Sequence, residues 1–583
     1  MKKILAVFLC AVLIFCTAAV SVSAEKEETI KFEWDKHPLI FIQGYSGPIL
    51  IRDMGLETEE QIWGINPIDL TKKLLSNLFG IVGSLADYSE GDQQPFIDRF
   101  KTISAELLDN ISMTPDGSSK YNITPFPNTV ETASVAYINE EWDGDYLPIA
   151  ERDLIADMCQ TVPADNIFIF NTDWRRSQIT NSKHLSDFID EVLAYTGSDK
   201  VDIYSLSHGG QLTATYLYYY GTQDKVDNVV MNSPAIGGSS LVMELLGSDP
   251  IAFNLEELLR FAGIMLHAEI DLRWVAKLLP AEFFNSLAKT AFNEVLLPYA
   301  VYFGSVWDLM DIETYTALRD VYLDPVENAQ IIDKADKLHY DCMANIGEGL
   351  RRARESGVNI NIIAGYGTKL GTGAEIDTDY IIDTVNTTGA NVAPFGERFT
   401  DGYRQLNTSC KNFAHNHISP TRTVDASCAF LPENTWYIYG QYHTQGWWDD
   451  YARPLLLELL FTDNIKDVYS NPKFPQFEIA QNPLDGIYAA FEGKASGSFD
   501  LKSDTLVLRN LSKSYRINVS QITINGKAVD LGNGIKLGKK GEDTVAVEVP
   551  KDADFIEIKI TYNRRGTISN DSYSRTLYFT KGR

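Results

Sequence analysis

A serine set between small residues is the strongest chemical signal in this chain. The short apolar run Val201–Tyr204 leads into Ser205-Leu206-Ser207-His208-Gly209 and then into a helix-like stretch from Gln211 to Tyr220. A strand that turns sharply into a helix holds the turn residue in strained backbone and lifts its side chain above the sheet. Small residues two positions to either side let neighbouring backbone pass, and Ser207 has Ser205 and Gly209 there. Ser207 is therefore the candidate nucleophile. A serine hydroxyl attacks a carbonyl only with a base to take its proton and with N–H donors to hold the resulting oxyanion. The His208 amide, next in the chain, is one expected donor. The Tyr45 amide is the other, in the loop Gln43-Gly44-Tyr45-Ser46-Gly47-Pro48, where glycines allow close approach of backbone to a substrate.

The base is expected just beyond the last core strand. Trp436-Tyr437-Ile438-Tyr439-Gly440-Gln441-Tyr442-His443 puts His443 at that place. The chain has eight histidines, and no other follows that strand so closely. His415 and His417 share a loop, and two histidines at that spacing are too little to assign a metal; no metal and no cofactor is expected. An acid to hold the imidazole belongs between nucleophile and base in the order Ser, Asp, His. Asp377, Asp379, Asp383, Asp401 and Asp425 all qualify, and Asp425, closest before the strand, is the favoured one.

These residues need a sheet to position them. Pro38–Ile42, Ile167–Phe170, Val201–Tyr204, Val226–Met231, Ile360–Ala364 and Trp436–Tyr439 are short, β-branched or aromatic runs bounded by turn residues. Such runs predict buried strands of a parallel sheet with helices between them. Two gaps exceed a simple crossover, residues 50–150 and residues 240–355. The second is apolar and helix-like, and about 240–355 is expected to form a cap over a hydrophobic pocket. After residue 462 the pattern changes. Residues 463–494 read as a connector, and residues 495–583 alternate in strand periodicity between turns such as Asn525-Gly526. An all-β sandwich module of immunoglobulin-like type is expected there.

Composition limits what the chain can do. With 583 residues, 22 % charged and 44 % hydrophobic, it is an ordinary globular sequence large enough for several domains. A net charge of −28 repels phosphate backbones and anionic membranes, so nucleic-acid binding is excluded. Lys2 and Lys3 ahead of the apolar run Ile4–Val20, with Val22-Ser23-Ala24 behind it, form the pattern of a signal peptide over residues 1–24, and a secreted, extracellular product is expected. Four further cysteines remain, Cys159, Cys342, Cys410 and Cys428. A Cys410–Cys428 bridge, worth about 3 kcal/mol, and four free thiols are both compatible with an exported chain.

Four motifs together resemble the lecithin:cholesterol acyltransferase-like branch of the α/β-hydrolase superfamily, over about residues 37–462. They are Phe41-Ile42-Gln43-Gly44-Tyr45-Ser46-Gly47, Asn171-Thr172-Asp173-Trp174-Arg175-Arg176-Ser177, the Ser207 turn, and Ser305-Val306-Trp307-Asp308-Leu309-Met310. The resemblance implies an α/β-hydrolase fold over residues 25–462, Ser/Asp/His acyl chemistry on a hydrophobic ester, and a capped acyl pocket. Ser207 matches the nucleophile and His443 the base. The chain departs from the pattern in having Ser205 before the nucleophile, and Thr421 where the acid segment begins. From this follows the expectation of a secreted serine esterase, lipase or acyltransferase. The rival expectation is an inactive hydrolase scaffold that binds a surface, with the C-terminal module as candidate binder of a surface or glycan ligand.

Overall fold

The computed structural model describes residues 31–64, 98, 101–102, 108–142, 147, 151–240, 242–243, 297–368, 377–394, 397–400, 402–443, 446 and 449–480. In the C-terminal region it describes 487–491, 498–499, 505–510, 515–532, 534–537, 544–550, 552–553, 555–564 and 572–581. The expected signal peptide and the apolar centre of the expected cap, residues 244–296, lie outside the described residues. The chain divides into two compact units, the first running to Ile360 and the second from Asn361 onward.

Each of the six apolar runs is a strand, because β-branched and aromatic residues that leave no polar face pack best when both faces are covered. They are β1 (Leu39–Ile42), β2 (Ile167–Phe170), β3 (Val201–Leu206), β4 (Val226–Asn232), β5 (Asn359–Tyr366) and β6 (Thr435–Tyr439). The sequence reading ended the sheet at β6. A further short strand, β7 (Phe477–Ile479), extends it from within the expected connector. Only three residues long and carrying Glu478 at its centre, β7 has no hydrophobic run by which to announce itself. The sheet is seven-stranded, in the order β7-β6-β5-β4-β3-β1-β2. The pairs β1–β2, β1–β3, β3–β4, β5–β6 and β6–β7 run parallel. A parallel sheet with flanking helices fits an α/β hydrolase.

In the first unit one described helix follows β2 and another follows β3. Helix α1 (Gln178–Thr196) is capped by the Ser177 hydroxyl and stops at Gly197, whose φ of 73° suits glycine. Helix α2 (His208–Tyr220) starts at the residue after Ser207. The described part of the second insertion forms α3 (Gly304–Asp308), α4 (Ile312–Tyr322), α5 (Ala329–Asp336) and α6 (Ile346–Glu355). Trp307, Met310, Tyr315 and Ile331 form a core of their own beneath these helices. Among the described residues no helix is long and apolar enough to cross a membrane.

In the second unit one buried cluster runs from Tyr366, Tyr437, Tyr439 and Phe477 to Leu506, Ile517, Ile556 and Ile558. The C-terminal strands thus share their core with the strands that precede them in this unit. They form small sheets, such as Tyr515–Ile524 paired antiparallel with Phe555–Arg564, which pairs in turn with Ser572–Lys581. All four described cysteines are free, so Cys410 and Cys428 form no bridge.

Candidate active site

The turn from β3 into α2 gives Ser207 its geometry. Ser207 has φ 57° and ψ −122°, a conformation that costs a residue with a Cβ of order 1–3 kcal/mol and persists only where surroundings enforce it. Backbone hydrogen bonds enforce it. The Ser207 amide donates to the Asn232 carbonyl at 3.0 Å, and the Ser207 carbonyl accepts from Gly210 at 2.9 Å and Ala235 at 3.0 Å. Gly209 is required by close packing, since a Cβ there would lie 2.3 Å from the Gln43 carbonyl oxygen and 2.9 Å from that of Ile42. Ser205, at the other flank, is fully buried, and among the described residues its hydroxyl finds no partner.

The loop after β1 lies against Ser207. A Cβ on Gly44 would sit 3.2 Å from Ser207 Cβ and 3.7 Å from Ser207 Oγ. Among the described residues neither the Tyr45 amide nor the His208 amide is spent on a backbone acceptor. The Tyr45 ring is wedged edge-on between Trp174 at 5.0 Å and His208 at 5.1 Å. Burial pushes the Tyr45 hydroxyl up to about 12, and its oxygen lies 3.4 Å from Ser305 Oγ. The His208 ring is buried and its Nε2 has no partner; burial drives it down to about 3, so the imidazole is neutral. A neutral, buried His208 ring is no candidate for the base.

The two other sequence motifs hold this arrangement from behind. Asp173 takes the Arg175 guanidinium at 2.8 and 2.7 Å, and the buried Arg175 also donates to the Ile111 carbonyl at 3.0 Å. That fixes Trp174, against which Tyr45 packs. Asp308 accepts from the Gln178 amide at the start of α1, while Gln178 Nε2 donates to the His208 carbonyl at 3.0 Å. Gln211 on α2 donates to the Asp308 carbonyl at 2.7 Å. Burial raises the Asp308 carboxyl to about 7, outweighing those hydrogen bonds.

The second unit holds a histidine–carboxylate pair. His443 Nδ1 lies 2.8 Å from Asp379 Oδ2, with both side chains buried. The backbones lock together too, as the His443 amide donates to the Asp379 carbonyl at 2.7 Å. The other oxygen, Asp379 Oδ1, accepts from the amides of Ile381 at 3.1 Å and Ile382 at 2.7 Å. The acceptor set leaves Oδ2 to take a proton from imidazole Nδ1, which places the imidazole lone pair on Nε2.

Asp425, the favoured acid of the sequence reading, is not at His443. Its carboxylate is consumed locally: Oδ2 accepts from the Tyr403 hydroxyl at 2.7 Å and the Leu406 amide at 2.8 Å, and Oδ1 from the Ser427 hydroxyl at 2.6 Å and amide at 3.0 Å. Proximity in sequence to β6 misled, because Asp425 sits in a two-residue strand paired with Asn391–Val392. Thr421, at the place of the family's acid segment, is buried and bonded to Ser419 and Thr423 hydroxyls.

No family model matches the chain, and no curated protein matches it. Among solved structures it is similar to the Tle4–Tli4 complex, at 15 % identity and TM-score 0.23 over 56 % of this chain and 74 % of that one. It is similar to lipase BlEst2 of Bacillus licheniformis in propeptide form, at 9 % and 0.26 over 94 % and 95 %. It is also similar to phospholipase PlaB of Legionella pneumophila, at 10 % and 0.25 over 72 % and 83 %. Likeness at this level carries no argument about activity.

Asp379 is one of the five candidate acids, all of which follow β5 in the chain, and what sets it apart is its side-chain hydrogen bond to His443.

Proposed function

We propose that the chain is a secreted serine hydrolase of hydrophobic carboxylic esters, with Ser207, His443 and Asp379 as its triad. The Asp379–His443 hydrogen bond carries this reading, because it offers an acid for the imidazole where the sequence motif lacks one. Ser207 Oγ attacks the ester carbonyl carbon as His443 Nε2 takes its proton. Asp379 holds the Nδ1–H and stabilises the imidazolium. The Tyr45 and His208 amides receive the oxyanion. Collapse of the tetrahedral intermediate breaks the carbon–oxygen bond, and the proton on Nε2 leaves with the alcohol. Water repeats the sequence to release the acid; an alcohol in its place makes the enzyme an acyltransferase. Residues 240–355 serve as the cap on the acyl side, and removal of residues 1–24 accompanies export.

A fluorophosphonate probe tests it. Labelling is expected on the intact protein and absent in Ser207→Ala. Absence of labelling at every pH from about 6 to 9, where a histidine base functions, overturns the proposal. An ester series then sets the substrate: a preference for short acyl chains counts against a lipase.

A further inference from the structure

Outside the residues used above, the loop before β6 gathers four side chains of different ligand type. Cys410, His415, His417 and Glu433 each bring one ligand atom into a group whose members all lie within 4.8 Å of one another. Cys410 Sγ is 3.8 Å from His415 Nδ1 and 3.8 Å from Glu433 Oε1, and His415 Nδ1 is 3.0 Å from Glu433 Oε1. Ligands about 2.0–2.3 Å from a tetrahedral zinc are separated from each other by about 3.3–3.6 Å, so these distances bracket the edges of such a tetrahedron. We propose that Cys410, His415, His417 and Glu433 form a structural zinc site.

Three observations support zinc beyond proximity. The donor set is one sulfur, two imidazoles and one carboxylate, which suits a borderline-soft ion better than calcium or magnesium. A thiolate and a carboxylate neutralise the two charges of the ion within a partly buried site. The orientation of His417 is also fixed from behind. Gln476 Nε2 donates to the carbonyls of Pro432 at 2.6 Å and Thr435 at 3.2 Å, so its Oε1 faces His417 Nδ1, 2.8 Å away. An acceptor at that place puts the proton on Nδ1 and the lone pair on Nε2, the tautomer of a metal ligand oriented by a second residue, and an ion bound there takes the place of the Tyr469 hydroxyl that lies 3.3 Å from Nε2. Four protein ligands leave no open position, so the ion is structural and not catalytic.

The site also answers a structural need. Between the strands Asn391–Val392 and Val424–Asp425 the described chain has no regular element. The segment is tied by Asp425 and by Ser427, whose carbonyl accepts from the Ser409 and Cys410 amides at 3.0 Å each. A metal closing Cys410 onto Glu433 staples that segment to the start of β6.

The test is metal content of the full chain produced with zinc in the medium and passed through gel filtration. Intact protein and Asp202→Asn are expected to hold about one zinc per chain, with at least a ten-fold loss in Cys410→Ser and His417→Ala. Asp202→Asn is the control because Asp35, His37, Asp202 and Asp227 form a second, oxygen-rich group in the first unit. Full zinc retention in Cys410→Ser with loss in Asp202→Asn overturns the proposal, as does intact protein without zinc. Should Cys410→Ser fail to fold, cobalt loading of the intact chain decides: thiolate-to-cobalt charge-transfer absorption is expected, and its absence overturns the proposal. His415→Ala, at a half-buried position, should lose that absorption while remaining folded.

Discussion

Asp379→Asn changes one atom and, by the geometry around it, reverses the polarity of His443. The amides of Ile381 and Ile382 both donate to Oδ1 and require an acceptor there. An asparagine must therefore keep its carbonyl oxygen there, which turns its NH2 toward His443 Nδ1. The imidazole then accepts at Nδ1 and carries its proton on Nε2, the atom that should take the proton of Ser207. A base in the wrong tautomer costs about 10⁴ in kcat, or about 5 kcal/mol of transition-state stabilisation. Size, the Ile381 and Ile382 hydrogen bonds and the backbone lock between residues 379 and 443 are all retained, so the melting temperature should shift by only a few degrees. Steady-state hydrolysis of a chromogenic ester, with active sites counted by fluorophosphonate titration, gives the comparison. An Asp379→Asn enzyme within ten-fold of the intact one, folded and with the same KM, would refute the assignment of the acid.

Three further outcomes follow from the same structure. Asp425→Asn should leave kcat within about two-fold while lowering stability by about 1–3 kcal/mol, because it disturbs four hydrogen bonds at once; a large loss of kcat with unchanged melting would return the catalytic role to Asp425. Gly209→Ala should lower stability by about 3 kcal/mol, as its Cβ meets two backbone oxygens that cannot both retreat; unchanged denaturant unfolding would contradict the tight approach of β1 to α2. Burial lifts the Asp308 carboxyl to about 7, so folding favours its protonated form. That contribution is complete below about pH 4, is lost as pH rises through about 7 and stays lost above it. Asp308→Asn, always neutral, should flatten this part of the curve of melting temperature against pH, and an unchanged slope would show that Asp308 does not titrate as described.

The sheet was legible because its strands are written in local composition. Leu39–Ile42 and Ile167–Phe170 have no polar residue to offer solvent, so burial on both faces is the one way to fold them. Ser207 was legible for a related reason, since the crowding that demands Gly209 acts on adjacent positions. The acid was not. What selects Asp379 over Asp425 is a side-chain hydrogen bond to His443, 64 residues away in sequence, and no spacing rule encodes it. Strand β7 escaped because three residues with a central glutamate have no periodicity. The grouping of Cys410 and Glu433 with His415 and His417 was not legible, because only the fold brings the four together.

The positive φ of Ser207 has a consequence for how this sequence can drift. Glycine would relieve the turn of about 1–3 kcal/mol, and folding alone therefore pulls position 207 away from serine in every generation. A change to glycine there would gain that stability and lose the hydroxyl. A census of residue 207 among descendants of this chain is in that sense a reading of whether its chemistry is still under selection, independent of any substrate being known.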